Sequence, residues 1–199
     1  MLATKKANER YTYSDYKNWP DDERWEIING IAYNMSPAPK IKHQIISRNI
    51  TGEIYKQKNK LNGCAFFEAP TDVVFDEYNV VQPDILIVCD KNKITEDNIQ
   101  GAPDLIIEIL SKSTEVKDRR EKLKLYETFK VKEYIIVHPD AEYVERYLLK
   151  DGKYAAPEIF NWDEEFKFKT FEIEFNLWEI FEKEKKEDNS DKKQPPSKS

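Results

Sequence analysis

Leu105-Ile106-Ile107-Glu108-Ile109-Leu110 is a hydrocarbon run with one carboxylate inside it. Gly101-Ala102-Pro103 precedes it and Ser111-Lys112-Ser113-Thr114 follows it. A short, β-branched, turn-bounded run of this kind reads as a strand apolar on both faces, as in the middle layer of a core. A carboxylate there loses several kcal/mol of hydration unless a cation or hydrogen bonds replace the water. A positive group is therefore expected beside Glu108.

The segment that follows offers one. Ser113 or Thr114 can cap a helix whose first turn carries Glu115 and Asp118. At about 100° per residue from Asp118, Leu123, Leu125, Tyr126 and Phe129 form one stripe with Lys122 near its centre. A buried structural Lys122–Glu108 pair accounts for this placement as well as a catalytic pair does.

Val80-Val81-Gln82-Pro83-Asp84-Ile85-Leu86-Ile87-Val88-Cys89 is a second apolar segment. Pro83 lacks a ladder donor, so the strand should begin at or just after it, with Asp84 at its entrance. Two carboxylates and a lysine on neighbouring elements suit Mg²⁺ or Mn²⁺, which favour hard oxygen ligands and keep several waters. An ammonium beside them can stabilise charge building on a phosphate.

Pro83-Asp84, Pro103-Asp104 through Ser111, then Thr114, Asp118, Lys122, Tyr126 and Glu133-Tyr134 resemble the Uma2 family of restriction-endonuclease-like proteins, within the PD-(D/E)XK nuclease superfamily. Glu26-Ile27-Ile28-Asn29-Gly30, Met35 to Pro39, and His43-Gln44 extend the likeness, which spans roughly Tyr11 to Phe181. The resemblance implies a mixed α/β fold with an αβββαβ core and a mixed central sheet, a divalent metal (Mg²⁺ or Mn²⁺), and endonucleolytic hydrolysis of DNA. It matches Asp84, Glu108 and Lys122 to the catalytic set, with Asp84, Glu108 and the backbone carbonyl of Ile109 as the metal ligands. The superfamily lysine usually lies two residues after the second acid, where this chain has Leu110. The likeness moves that role to Lys122, where periodicity also pointed. Asp104 is a poorer match for the first acid, because four residues along one strand separate it from Glu108 by roughly 13 Å.

Three further residues are candidates for accessory roles. Glu26 lies in an expected hairpin turning at Asn29-Gly30, a pair suited to a type I′ turn, and is either an extra acid at the site or an exposed strand residue. His43 shares a helical face with Ile46, Ile50, Ile54 and Leu61, which fits a satisfied structural histidine as well as a site residue. Gln44 follows it.

The 199 residues suit one domain, expected over residues 11–181, between a flexible N-terminus (1–10) and a disordered charged tail (182–199). Glu133 to His138, Tyr143 to Leu149 and Lys153 to Ala155 read as a C-terminal β-meander. No apolar stretch approaches 18 residues, and the N-terminus has no apolar signal region. Cys64 and Cys89 have no metal-ligand spacing and read as reduced thiols, which places the chain in the cytoplasm. The net charge of −6 opposes a DNA partner. Residues 40–60, however, carry six bases against one acid, and residues 112–132 carry eight against four. Weak, salt-sensitive DNA binding along these two helices is the expectation, and the resemblance adds a homodimer. The competing reading is a catalytically silent accessory of the same fold that binds DNA or protein.

Overall fold

The computed structural model describes residues 9–20, 22–35, 39–111 and 117–185. Most of the expected terminus (1–10) and tail (182–199) lie outside the described residues, as do Ser36, Pro37, Ala38, Lys112 and the expected cap Ser113, Thr114 and Glu115.

The central sheet is built on β8 (Leu105–Ile109). β8 runs antiparallel to β6 (Ile85–Val88) and parallel to β9 (Glu133–His138). β3 (Ala65–Glu68) extends the sheet beyond β6, and β10 (Tyr143–Lys150) extends it beyond β9. β11 (Lys153–Tyr154) and β12 (Glu158–Asn161) both pair with β10, completing the expected meander. With α2 (Ile41–Lys56) before β3, and a helix between β8 and β9, the chain order is the expected αβββαβ.

Both faces of this sheet are covered, which is why β8 is apolar at every position but Glu108. Leu105, Ile107 and Ile109 face one cluster with Ile46, Ile50 and Ile54 of α2. That side is closed by the hairpin of β13 (Glu165–Lys167) and β14 (Glu174–Asn176), and by the short helix α4 (Leu177–Ile180). Ile106 and Leu110 face the other cluster with Leu125, Tyr126 and Tyr134. By alternation Glu108 points to that second side.

A smaller sheet lies on the second side, ordered β2 (Ile31–Asn34), β1 (Trp25–Ile28), β5 (Asn79–Val81), β4 (Val73–Asp76), β7 (Ile99–Gln100). Its hairpin turns at Asn29-Gly30 with φ of 52° and 78°, the doubly positive pair a type I′ turn requires. The short helix α1 (Tyr13–Tyr16), capped by Thr12, and the rings of Tyr11 and Trp19 pack against this sheet. The Val80 to Cys89 segment is split at Gln82-Pro83: Val80 and Val81 belong to the small sheet, and Ile85 onward to the central one. Proline's missing donor ends one ladder and opens the next.

The expected long second helix is shorter and differently wound. Asp118–Lys122 is a π-helical turn, and α3 (Leu123–Thr128) continues it. The expected free thiols are also corrected. β3 and β6 pair Ala65 with Val88, so the next positions outward, Cys64 and Cys89, face each other at a Cα separation of 4.0 Å and are joined as a disulfide. Strand register, which linear spacing hides, makes this pair, and it removes the thiol argument for a reducing compartment. Among the described residues no helix is long and apolar enough to cross a membrane.

Candidate active site

Asp84, Glu108 and Lys122 come together at one end of the central sheet, where β8 runs past the Pro83 break. The β6–β8 ladder ends where Ile107 pairs with Ile85. The Asp84 side chain takes the next position: its Oδ2 accepts the Ile109 amide at 2.7 Å. Lys122 Nζ lies 2.8 Å from Glu108 Oε1, and the Tyr126 hydroxyl donates to the same oxygen at 2.7 Å.

Glu26 joins them. It is fully buried in β1 and receives Lys122 at 2.8 Å, Lys117, and the Gln82 amide at 3.1 Å. The exposed-strand alternative for Glu26 is thereby excluded. Asp118, also buried, lies 3.5 Å from Lys122. His43 Nε2 lies 3.2 Å from Asp84 Oδ2. Gln44 does not join this cluster; its amide donates to the Pro39 carbonyl at the rim of α2. Asp104 lies at the opposite end of β8, where it binds Lys132 at 2.6 Å and the Cys89 amide at 2.8 Å.

Asp118, Tyr126 and Lys117 have the weakest sequence signals. Asp118 and Tyr126 sit four positions either side of Lys122, which is the α-helical neighbour distance that would have selected them. Lys117 escapes that rule. In a π turn the hydrogen bonds run i→i+5, so residues five apart approach one line, and Lys117 and Lys122 both reach Glu26. On ideal α-helical geometry they would diverge.

The charges divide unevenly. Burial alone would raise the Glu26 pKa, but Lys122 and Lys117 hold it down to about 2. Burial pushes Glu108 up to about 8; Lys122 opposes this, while Asp118, Asp84 and Glu26 reinforce it. Burial also works against the charged Lys122, yet Glu108, Glu26 and Asp118 raise its pKa well above the ordinary lysine value. His43 is likewise raised despite burial, through Asp84 and a backbone hydrogen bond at Ile109.

Three buried acids (Glu26, Glu108, Asp118) thus crowd around two buried lysines (Lys117, Lys122), and burial with the neighbouring acids favours the protonated form of Glu108. A cation would offset the same crowding of negative charge. Among the described residues no three His, Cys, Asp or Glu side chains form a ready metal cage. Two carboxylates and a carbonyl are instead the sparse oxygen set that suits a cation retaining several waters. The hydrogen bonds to Asp84 fall on Oδ2 and those to Glu108 on Oε1, so the donor set fits Mg²⁺ or Mn²⁺.

The Uma2 family model, described as "Putative restriction endonuclease", matches residues 13–178. A crystal structure from Anabaena variabilis ATCC 29413, described as "a putative nuclease belonging to DUF820", superposes with a TM-score of 0.71 at 19% identity. That likeness covers 86% of this chain and 97% of the other, and shows a shared fold. The uncharacterized protein slr1290 of Synechocystis sp. is 26% identical over 143 residues, 69% of this chain and 73% of its own length.

Proposed function

The chain belongs to the Uma2 family, and from that membership we propose a hydrolase that cleaves DNA phosphodiester bonds with Mg²⁺ or Mn²⁺ at Asp84, Glu108 and the Ile109 carbonyl. The observation that carries the reading is the meeting of Asp84, from the break between two sheets, with the end of β8 beside Lys122. A fold has little packing reason to gather these groups in its interior.

When bound, the cation would lower the pKa of a coordinated water and draw charge from the phosphoryl oxygens. The remaining work falls to the chain. Lys122 keeps its proton, so it acts as a fixed positive charge and hydrogen-bond donor for the crowded phosphate rather than as a base. Tyr126 fixes the Glu108 carboxylate, and the Ile109 amide fixes that of Asp84. His43, 3.2 Å from Asp84 Oδ2, helps hold that carboxylate in place. Lys117 neutralises Glu26, which leaves more of the Lys122 charge for the substrate.

One observation favours the alternative, a silent accessory that binds DNA or protein. Lys122 is already engaged by Glu26, Glu108 and Asp118, which a purely structural knot would also show. Supercoiled plasmid incubated with Mg²⁺ or Mn²⁺ decides between the two. Wild type should nick it, and Asp84→Ala, Glu108→Gln and Lys122→Ala should not. Uniform inactivity of all four supports the accessory reading, and equal nicking by all four points to a contaminant. Cutting both strands calls for two such sites, so a homodimer belongs to the proposal; sedimentation of the purified protein tests it.

A further inference from the structure

The outer face of α2 continues from the acid cluster as a groove of about 620 Å³, lined by Gln44, Arg48, Thr51, Tyr55, Phe66 and Asp84. The helical residues recur at three- and four-residue steps, opposite the buried stripe of Ile46, Ile50 and Ile54. From residue 44 to residue 55 this wall runs roughly 16 Å, so the groove leads away from Asp84 rather than merely surrounding it.

Its chemistry is mixed in a particular way. Tyr55 is 59% exposed and has no place in the core, with the Lys58 ammonium 4.7 Å from its ring centroid. Among the described residues Arg48 pairs with the exposed Glu182 at 2.9 Å and with its neighbour Asn49, a surface pairing that a phosphate can displace. Glu68, the acid on the opposite wall, is engaged by the Thr51 hydroxyl at 3.2 Å. Arg24 closes the end near Asp84, held by Gln82 at 2.7 Å. An exposed aromatic face flanked by guanidinium groups suits unpaired nucleic acid, because every base offers a face for stacking. The volume is that of a small-ligand site, on the order of one or two nucleotides, and is too small for a duplex.

We propose that this groove receives an unpaired DNA strand, with a base stacked on Tyr55, phosphates at Arg48 and Arg24, and the strand end or flap junction delivered to Asp84. The proposal rests on the hydrolase reading and narrows its substrate to single-stranded or flapped DNA. Gly52 supplies a direct test. A Cβ built there meets nothing within 4 Å, so a side chain can start there without a clash, and Gly52→Trp adds a bulky ring to the groove wall.

The experiment is fluorescence anisotropy with a labelled short DNA strand, alone and annealed to its complement, in Ca²⁺ buffer. The expected result is tighter binding of the unpaired strand, about tenfold weaker binding by Tyr55→Ala, and loss of binding by Gly52→Trp. Ile159→Trp, on the exposed face of β12, should bind as wild type does, and thermal melting should show every variant folded. Equal affinity for both DNA forms, or unchanged affinity in the Tyr55 and Gly52 variants, overturns the proposal. If plasmid is nicked while the groove variants bind normally, the groove is wrong and the hydrolase reading stands. If the groove variants lose binding while no metal supports nicking, the reverse holds.

Discussion

Lys122 Nζ lies 2.8 Å from Glu26 Oε1, a contact between the π turn after the central sheet and the first strand of the small sheet. Lys117 grips the same carboxylate from one π turn away. The pairing joins two layers of the fold through charge buried on both sides.

Glu26→Ala leaves two buried ammonium groups with one partner fewer. Breaking a buried pair on one side costs about 3–5 kcal/mol. At about 2–4 °C per kcal/mol for a chain of this size, the melting temperature followed by circular dichroism should fall on the order of 10 °C. A shift of less than about 2 °C would show that Glu26 is not a keystone of the packing.

Glu26 and Glu108 set opposite pH limbs. The Glu26 pKa is held down to about 2 from an ordinary 4.5, so its stabilisation is present above 4.5 and is lost as pH falls toward 2. The Glu108 pKa is pushed up to about 8 from the same 4.5. The folded state therefore binds the extra proton between those values, and that stabilisation is lost as pH rises through 8. Melting temperature should peak at about pH 5 and decline toward pH 8; Glu108→Gln should remove the decline, and millimolar Mg²⁺ should flatten it. A wild-type curve that rises from pH 5 to 8 contradicts this assignment.

Lys122→Met, which keeps the length of the stem and removes the charge, should lower the nicking rate by on the order of a hundredfold to a thousandfold. Lys122→Arg should recover little, since three acids are arranged around a point charge rather than a planar fork. Rates measured under single turnover separate this effect from DNA affinity. Full activity in the methionine variant would remove Lys122 from the chemistry.

The Cys64–Cys89 bond closes a loop with a sequence separation of 25 residues, for which chain entropy gives about 3.5 kcal/mol. Thiol titration in denaturant should find no free sulfhydryl in protein purified without reductant. The double variant Cys64→Ala/Cys89→Ala should shift the denaturant midpoint downward by a corresponding amount. Two free thiols per chain would count against the bond.

Glu108 and Lys122 were legible because each breaks an otherwise consistent pattern, a charge inside an apolar strand and a lysine on an apolar stripe. Asp84 was placed at a strand entrance by Pro83 and matched to the site by the family likeness; that the same proline also ends a ladder of the small sheet was not legible. The αβββαβ order was legible through the family likeness alone. Glu26 was ambiguous because both of its lysines lie far along the chain, and a short hairpin strand shows nothing of what covers it. Lys117 was hidden by a π turn that a fixed 100° step does not describe. The disulfide was hidden because register, not spacing, brings its sulfurs together. The basic surface expected over residues 112–132 is smaller than counted: Lys117 and Lys122 are spent inside the protein and Lys132 on Asp104.

The crossing at Gln82-Pro83 means that no single layer owns the acidic cluster. Glu26 comes from the small sheet, Glu108 from the large one, and Asp84 from the seam between them. Clipping away the amino-terminal hairpin would therefore take Glu26 from both Lys117 and Lys122 and uncover the cluster. The hairpin is a wall of the acidic cluster, and shortened versions of this protein should keep it.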